Sequence, residues 1–158
     1  MQYYGWAFQN RSLLIPTPDQ VKLAAQVALA ARRRLQGIME VLYVLPGYFT
    51  GRPKPCMNGW GRTYMTVNPN GFVLQCPTAG EIPGLAFDNV LERSLASIWR
   101  ASESFNRFRG TDWITDPCRS CPQRVFDFGG CRCQAAVLSG DPANTDPACE
   151  FSSQHLLV

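Results

Sequence analysis

The sequence lacks the features that mark membrane, secreted and nucleic-acid-binding proteins. None of its apolar runs approaches the ~18 residues of a membrane span, and residues 1–11 lack the apolar core of a signal peptide. The net charge of +3 is small, whereas nucleic-acid-binding domains usually have a strong basic bias on one face. We therefore expect a cytoplasmic protein that binds neither nucleic acid nor a membrane.

The sequence is also nearly free of histidine, with one residue of that type, but it has seven cysteines. Cytosolic thiols are kept reduced, and an odd number leaves one thiol unpaired in any complete disulfide scheme. These two facts disfavour a disulfide-bonded secreted domain. Metal binding is the better interpretation of the seven residues, which are Cys56, Cys76, Cys118, Cys121, Cys131, Cys133 and Cys149.

Residues 1–50 have the pattern of a β-α-β unit. An aromatic run at 3–8 is strand-like, and Thr-Pro-Asp-Gln at 17–20 is a capping box that begins a helix. This helix has one apolar stripe and ends near Gly37. The nearly continuous apolar run at 38–45 suits a parallel strand buried on both faces. Because such a unit cannot close a sheet by itself, we expect residues 1–50 to be the C-terminal part of an incomplete (β/α) barrel in a longer chain.

The composition changes at a linker, 51–55, and we expect a second, small α+β domain over residues 51–158. An Asn-Gly turn at 68–71 lies between two strand-like runs and predicts a β-hairpin. Apolar spacing predicts a helix over about 89–109. The segment beyond residue 111 consists of turns, prolines and cysteines. It has too few apolar residues to fold without a cross-link such as a bound metal.

The cysteines are spaced for metal binding. The pairs Cys118-x-x-Cys121 and Cys131-x-Cys133 are chelating, because short spacing lets two thiolates reach one metal centre. Cys56 precedes the predicted hairpin and Cys76 follows it, so the hairpin can bring these two thiols together. The combination predicts more than one metal centre.

Two four-ligand sites need eight donors, and the cysteines supply seven. The eighth is Asp127, His155 or an exogenous molecule. Asp127 lies on the loop between the two chelating pairs, whereas a lone histidine near the chain end is more often solvated. The competing interpretation of Asp127 is that it caps a turn before the two glycines at 129–130.

The cysteine spacing resembles a known auxiliary-cluster domain, called SPASM, which is appended to many radical S-adenosylmethionine enzymes. Its pattern is C-x9–15-G-x4-C, then C-x2-C-x5-C-x3-C, then a last cysteine. Every spacing fits, and the one departure is an aspartate where the pattern has a cysteine. The matching positions are Cys56, Gly71, Cys76, Cys118, Cys121, Asp127, Cys131 and Cys149.

Three segments, 2–7, 68–71 and 117–121, are similar to the peptide-modifying radical enzymes of pyrroloquinoline quinone biosynthesis. The resemblance implies an oxidoreductase that joins a glutamate and a tyrosine of a precursor peptide, with a small peptide-binding chaperone and a reductant protein as further partners. Those enzymes bind S-adenosylmethionine and a third [4Fe-4S] cluster through C-x3-C-x2-C, which this sequence lacks. We therefore expect the chain alone to be inactive.

The resemblance also implies the ligand sets of two auxiliary iron–sulfur clusters, of [4Fe-4S] or [2Fe-2S] type. These clusters tune or relay electrons and order the fold. One set is Cys118, Cys121, Asp127 and Cys149, and the other is Cys56, Cys76, Cys131 and Cys133.

The alternative interpretation is a structural zinc module that binds a protein or nucleic acid, since zinc accepts Cys₄ and mixed Cys/Asp sites. The modest charge and the βαβ-like opening disfavour it. Iron–sulfur proteins are brown and zinc proteins are colourless, so colour distinguishes the two.

Overall fold

A computed structural model describes residues 5–45 and 47–155 of the chain. It has a small α+β fold with short helices and one two-stranded antiparallel hairpin. None of the helices within these ranges is long and apolar enough to cross a membrane. The α-helices are α1 (Gly5–Gln9), α2 (Arg11–Leu14), α3 (Pro18–Arg34), α4 (Leu95–Ala101), α5 (Glu103–Asn106), α6 (Arg124–Asp127) and α7 (Arg132–Ser139); the strands are β1 (Thr66–Val67) and β2 (Val73–Leu74); single 3-10 turns lie at Gly47–Phe49, Cys56–Asn58, Ala79–Glu81 and Cys118–Ser120.

Helix α3 begins at the predicted capping box. Thr17 Oγ1 accepts a hydrogen bond from the backbone N–H of Gln20 at 3.3 Å, and Gln20 Oε1 accepts from the N–H of Thr17 at 2.8 Å. Pro18 occupies the first helical position, where its missing N–H costs nothing. The helix prediction for this segment is confirmed.

The two strands predicted to flank α3 are wrong. Residues 5–9 form α1, with the Asn10 N–H bonded to the Trp6 carbonyl, while Tyr3 and Tyr4 lie outside the described residues. Residues 39–45 have no regular structure. Their Val41 and Leu45 carbonyls accept hydrogen bonds from the Arg32 and Lys54 side chains. The physical reason is that no strand in the described part of the chain pairs with either segment.

The apolar stripe of α3 is present but uncovered. No residue of α3 is buried, and Leu23 and Val27 are 61% and 63% exposed. The apolar run that follows is similarly open, with Ile38, Leu42 and Val44 each at least 76% exposed. Residues 5–45 therefore present one broad apolar face to the surroundings.

The predicted hairpin is confirmed, although its strands are shorter than the predicted runs at 63–67 and 72–75. β1 and β2 pair with Thr66 opposite Leu74 and Val67 opposite Val73. Asn68 organises the turn, because its Oδ1 accepts from the backbone N–H groups of Asn70 and Phe72.

The helix predicted over about 89–109 is divided into α4 and α5. Ser94 caps α4 by accepting from the Ser97 N–H at 3.2 Å, so the helix begins later than predicted. Ser102 interrupts it, with an extended backbone (φ −70°, ψ 133°) and a hydroxyl 3.0 Å from that of Ser104. Side-chain hydrogen bonds of serine compete here with the helical ladder.

The core lies in the second part of the chain. Trp60 and Phe108 stack edge to face, with ring centroids 5.6 Å apart. A second small cluster contains Val73, Ile98 and Phe105, all fully buried. The main cluster includes two of the cysteines and consists of Trp60, Leu74, Cys76, Ala79, Ile82, Phe108, Cys133 and Ala136.

Replacing Gly71 by alanine should lower the free energy of unfolding by about 2 kcal/mol. Gly71 has a left-handed φ of +84°, which costs other residues ~1–2 kcal/mol. An added Cβ would also lie 2.6 Å from Asn89 Oδ1. Urea denaturation of the metal-loaded protein, followed by circular dichroism, measures the loss.

Gly84→Ala is the matched control. Gly84 has a similar φ of +75° but nothing within 4 Å of an added Cβ, so its loss should be about 1 kcal/mol, from φ alone. Equal losses in the two variants would contradict a contribution from the Asn89 contact.

Candidate metal centre

Four cysteines from distant parts of the chain lie side by side, and we call them the inner group: Cys56, Cys76, Cys131 and Cys133. The sulfurs of Cys76 and Cys133 are 3.5 Å apart. The thiol of Cys131 hydrogen-bonds to those of Cys133 and Cys56. All seven cysteines are described, and all are free thiols. The structure thus joins the four sulfurs in one continuous chain of contacts.

The elements that carry the inner group converge on the N-terminus of α7. Cys131 is the N-cap of α7, where its sulfur accepts from the Gln134 N–H at 3.5 Å, and Cys133 lies in the first turn. Cys76 follows β2 directly, so the hairpin delivers it. Cys56 begins the 3-10 turn at Cys56–Asn58.

The thiols of the inner group set one another's protonation. The hydrogen bond from Cys133 lowers the pKa of Cys76 to about 6. The same donor, together with Cys56, holds the pKa of Cys131 well below its ordinary value. The donors Cys56 and Cys133 have raised pKa values, first because of these hydrogen bonds and then because of burial. The pattern favours thiolate, which is the metal-binding form of cysteine, at Cys76 and Cys131, and the protonated thiol at Cys56 and Cys133.

The other three cysteines lie with Asp127, and we call this set the outer group: Cys118, Cys121, Asp127 and Cys149. All four line one small cavity of about 30 Å³. Burial raises the pKa of Cys149, and repulsion from the other three members adds to the effect. The other three members are therefore close enough to oppose the ionisation of Cys149.

Asp127 is the only oxygen donor of the outer group. It is the last residue of α6, and burial raises the pKa of its carboxyl. Its Oδ1 accepts from the Gly129 N–H at 2.9 Å. One carboxylate oxygen thus caps a turn, as the competing sequence interpretation has it, which leaves the second oxygen free of any hydrogen bond that the structure records.

A left-handed turn joins the two groups. Phe128, Gly129 and Gly130 have successive φ values of 53°, 78° and 77° and carry the chain from Asp127 to Cys131. An added Cβ at Gly130 would collide with the Asp146 carboxylate and lie 2.6 Å from the Pro53 Cβ. This close packing requires glycine at position 130.

Two buried charged residues next to these groups were not predicted from the sequence. Asp146 is 2% exposed and accepts from the Cys131 N–H at 2.6 Å, the Ala148 N–H at 2.9 Å and the Gln134 amide at 3.2 Å. Arg132 is also 2% exposed. Their signal in the sequence is position alone, since Arg132 lies between two cysteines and Asp146 three residues before another.

His155, the other candidate for an eighth donor, lies elsewhere. Its Nδ1 is 2.9 Å from the Pro147 carbonyl oxygen, and it is not among the residues that line the outer cavity. In the ranges that the structure describes, no three His, Cys, Asp or Glu side chains form a compact site for a single metal ion.

The donor sets fit iron–sulfur clusters. Thiolates are the usual protein ligands of such clusters, and the inner group supplies four of them while the outer group supplies three and a carboxylate. Both sets are already gathered by the fold, and the lowered pKa values of Cys76 and Cys131 supply ionised sulfur.

Comparison with known proteins gives the class first. Residues 56–122 match the SPASM family, described as an iron-sulfur cluster-binding domain. This segment is therefore similar to a SPASM iron–sulfur cluster-binding domain. Cys131, Cys133 and Cys149 lie beyond the matched residues.

More specific relatives share nearly the whole chain. It is 52% identical to the PqqA peptide cyclase of Streptomyces rochei. The alignment has 157 residues and covers 99% of this chain and 43% of that protein. It is 51% identical over 156 residues to the PqqA peptide cyclase of Bradyrhizobium diazoefficiens, with 98% and 41% covered. The chain spans about two fifths of these relatives and corresponds to the C-terminal part of PqqA peptide cyclase.

Replacing Asp146 by alanine should lower the free energy of unfolding by about 2–4 kcal/mol. The change leaves the buried N–H groups of Cys131 and Ala148 without their carboxylate acceptor, and each unsatisfied buried donor costs about 1–3 kcal/mol. Denaturant unfolding measures the loss, and bound iron should fall with it, because Cys131 loses its anchor.

Asp141→Ala is the matched control, since Asp141 also accepts a backbone N–H, that of Ala143 at 2.8 Å, but is exposed. Its loss should be at most about 1 kcal/mol. A similar loss in both variants would contradict the special role of Asp146.

Proposed function

We propose that the inner and outer groups each hold one auxiliary iron–sulfur cluster. The observation that carries the proposal is the sorting of seven cysteines into two groups with none left over. Four cysteines from three separate segments meet at the N-terminus of α7, and the remaining three meet Asp127 at one cavity. Each group combines a local pair with distant donors, so neither is complete until the domain has folded.

Asp127 is the proposed eighth ligand. Its carboxylate is a harder donor than a thiolate, so the iron that it binds should exchange ligands more readily than an all-thiolate iron. Its place in the outer cavity beside Cys118, Cys121 and Cys149 supports this role. The Gly129 N–H holds one carboxylate oxygen and thereby orients the other.

The proposed setting is a larger, cytoplasmic radical S-adenosylmethionine oxidoreductase of pyrroloquinoline quinone biosynthesis, the biosynthesis protein E. Relatives named PqqA peptide cyclase support it. There the partners are a precursor peptide, whose glutamate and tyrosine are cross-linked, a small peptide-binding chaperone and a reductant protein. S-adenosylmethionine and a third [4Fe-4S] cluster belong to the rest of that enzyme, so this chain alone is inactive.

Residues 1–50 are proposed to be the end of a partial barrel, and residues 51–158 the auxiliary cluster domain. The open apolar face of α3 and residues 38–44 supports the division, because a barrel would cover it.

The protein's contribution is to bind, orient and shield. When bound, the clusters supply one-electron redox chemistry whose potential depends on charge, hydrogen bonding and exposure. Burial of Cys76 and Cys133 excludes water from the inner group, whereas the outer group is only half-buried and lies closer to solvent.

Anaerobically purified protein should be brown and contain iron and acid-labile sulfide in about equal amounts. Colourless protein with zinc and no sulfide would favour the structural zinc module instead. Elemental analysis after reconstitution makes the distinction.

Cysteine variants test the grouping. Cys133→Ser and Cys121→Ser should each lose about half of the iron, because each removes one ligand of a different group. The pair Cys118→Ser/Cys121→Ser, within one group, should lose no more than Cys121→Ser, whereas Cys121→Ser/Cys133→Ser should lose nearly all. Equal iron contents in the two double variants would contradict the proposed ligand sets.

Asp127→Asn separates the ligand role from the turn-capping role. Asparagine keeps an oxygen that can accept from the Gly129 N–H but loses the anionic donor. A ligand role predicts a changed electron paramagnetic resonance spectrum and a changed reduction potential in the outer cluster. Asp112→Asn, at an exposed residue, should change neither. A wild-type spectrum and potential in Asp127→Asn would reject ligation by Asp127.

A further inference from the structure

Arg132 is a buried cation between two cysteines of the inner group. Only 2% of it is exposed. Its guanidinium donates to the carbonyls of Pro142 at 2.7 Å, Asn144 at 2.8 Å and Gly129. Its Cζ also lies 4.8 Å from the centre of the Trp113 ring. These contacts fix the charge in place.

The side chain lacks a direct counter-charge. No carboxylate among the described residues lies within ion-pair distance of Arg132, since the recorded pair is Arg93 with Asp88. Its Nε is buried with no hydrogen-bond acceptor. Burying an unpaired charge is costly, so this arrangement calls for negative charge nearby.

That negative charge lies in both groups. The guanidinium is attracted electrostatically to Cys131 and Cys56 of the inner group and to Cys118 of the outer group. It also acts on the carboxyl of Asp127 in the outer group. Asp146, buried beside Cys131, is the foremost attracting group. The contacts agree, because Arg132 lies between Cys131 and Cys133 in the chain and donates to the carbonyl of Gly129, which lines the outer cavity. Arg132 is therefore placed next to both groups.

We propose that Arg132 is a positioning residue that serves as the shared counter-charge of the two clusters. The inference rests on the proposed function, because thiolate-bound clusters supply anionic charge in addition to that of Asp146. A fixed buried cation stabilises the reduced, more negative form of a nearby redox centre. Arg132 thus raises the reduction potentials of both clusters and couples the two clusters electrostatically. It acts through the clusters and does not itself contact the precursor peptide.

Arg132→Gln and Arg132→Lys test the role. The glutamine variant removes the charge but keeps a hydrogen-bond donor, and both potentials should shift to more negative values. The lysine variant keeps the charge and loses the planar fork, and both potentials should stay near those of the wild type. Redox titration monitored by electron paramagnetic resonance resolves the two centres.

Arg109→Gln is the matched control. Arg109 has the same construction, since it donates to the Gly61 carbonyl at 2.9 Å and the Trp99 carbonyl at 2.8 Å and stacks on the Trp99 ring at 5.2 Å. No cysteine appears among its interactions. Loss of Arg109 should reduce stability and leave both potentials unchanged.

Each outcome either supports or overturns the role of Arg132 as a shared counter-charge. Unchanged potentials in Arg132→Gln, or a shift of one centre alone, would overturn the shared role. If Arg132→Gln binds no iron, the iron content of Arg132→Lys distinguishes the explanations. Wild-type iron content in Arg132→Lys supports the counter-charge role, whereas loss of iron in that variant would overturn it, because the charge alone is then insufficient. Wild-type protein with zinc or without sulfide would instead overturn the proposed function itself, so the two failures are distinguishable.

Discussion

The approach of four thiols at the start of α7 is the constraint on which this small fold depends. The 3.5 Å contact between Cys76 and Cys133 joins the hairpin to α7, and Cys131 extends the contact to Cys56. Of the two apolar clusters in the described residues, one contains two of these cysteines. The contacts among the sulfurs therefore belong to the hydrophobic core, and bound metal would strengthen them.

The two groups form one unit. The left-handed turn at 128–130 leads from the last residue of α6 to the N-cap of α7, so a donor of one group precedes a donor of the other by four positions. Asp146 ties the same N-cap to the loop that holds Cys149. Arg132 adds a fixed positive charge among them. A structural change at one group should therefore affect the other through the backbone of residues 128–130, the Asp146 carboxylate and the Arg132 guanidinium.

Sequence patterns among neighbouring residues were sufficient to predict some helices and turns but not all of the secondary structure. The capping box at Thr17 and the Asn-Gly turn at 68–71 act through near neighbours, so the sequence predicts them correctly. The strands at 3–8 and 38–45 require pairing partners that the described residues do not provide. The break at Ser102 accompanies a serine–serine hydrogen bond that apolar spacing does not reveal. The cysteine spacing predicted more than one metal centre, and the family resemblance implied two ligand sets, but neither carried a sign of Arg132 or Asp146, whose roles arise from burial.

The order of donors along the chain has a consequence for biogenesis. The inner group is complete once Cys133 has left the ribosome, whereas the outer group must wait for Cys149. Delivery of metal to a nascent chain would therefore fill the deeper centre first, and α7 would already be anchored when the last cysteine arrives. A chain whose synthesis stops between Cys133 and Cys149 would hold metal at the inner group alone. Its Cys118 and Cys121 thiols would then be open to oxidation.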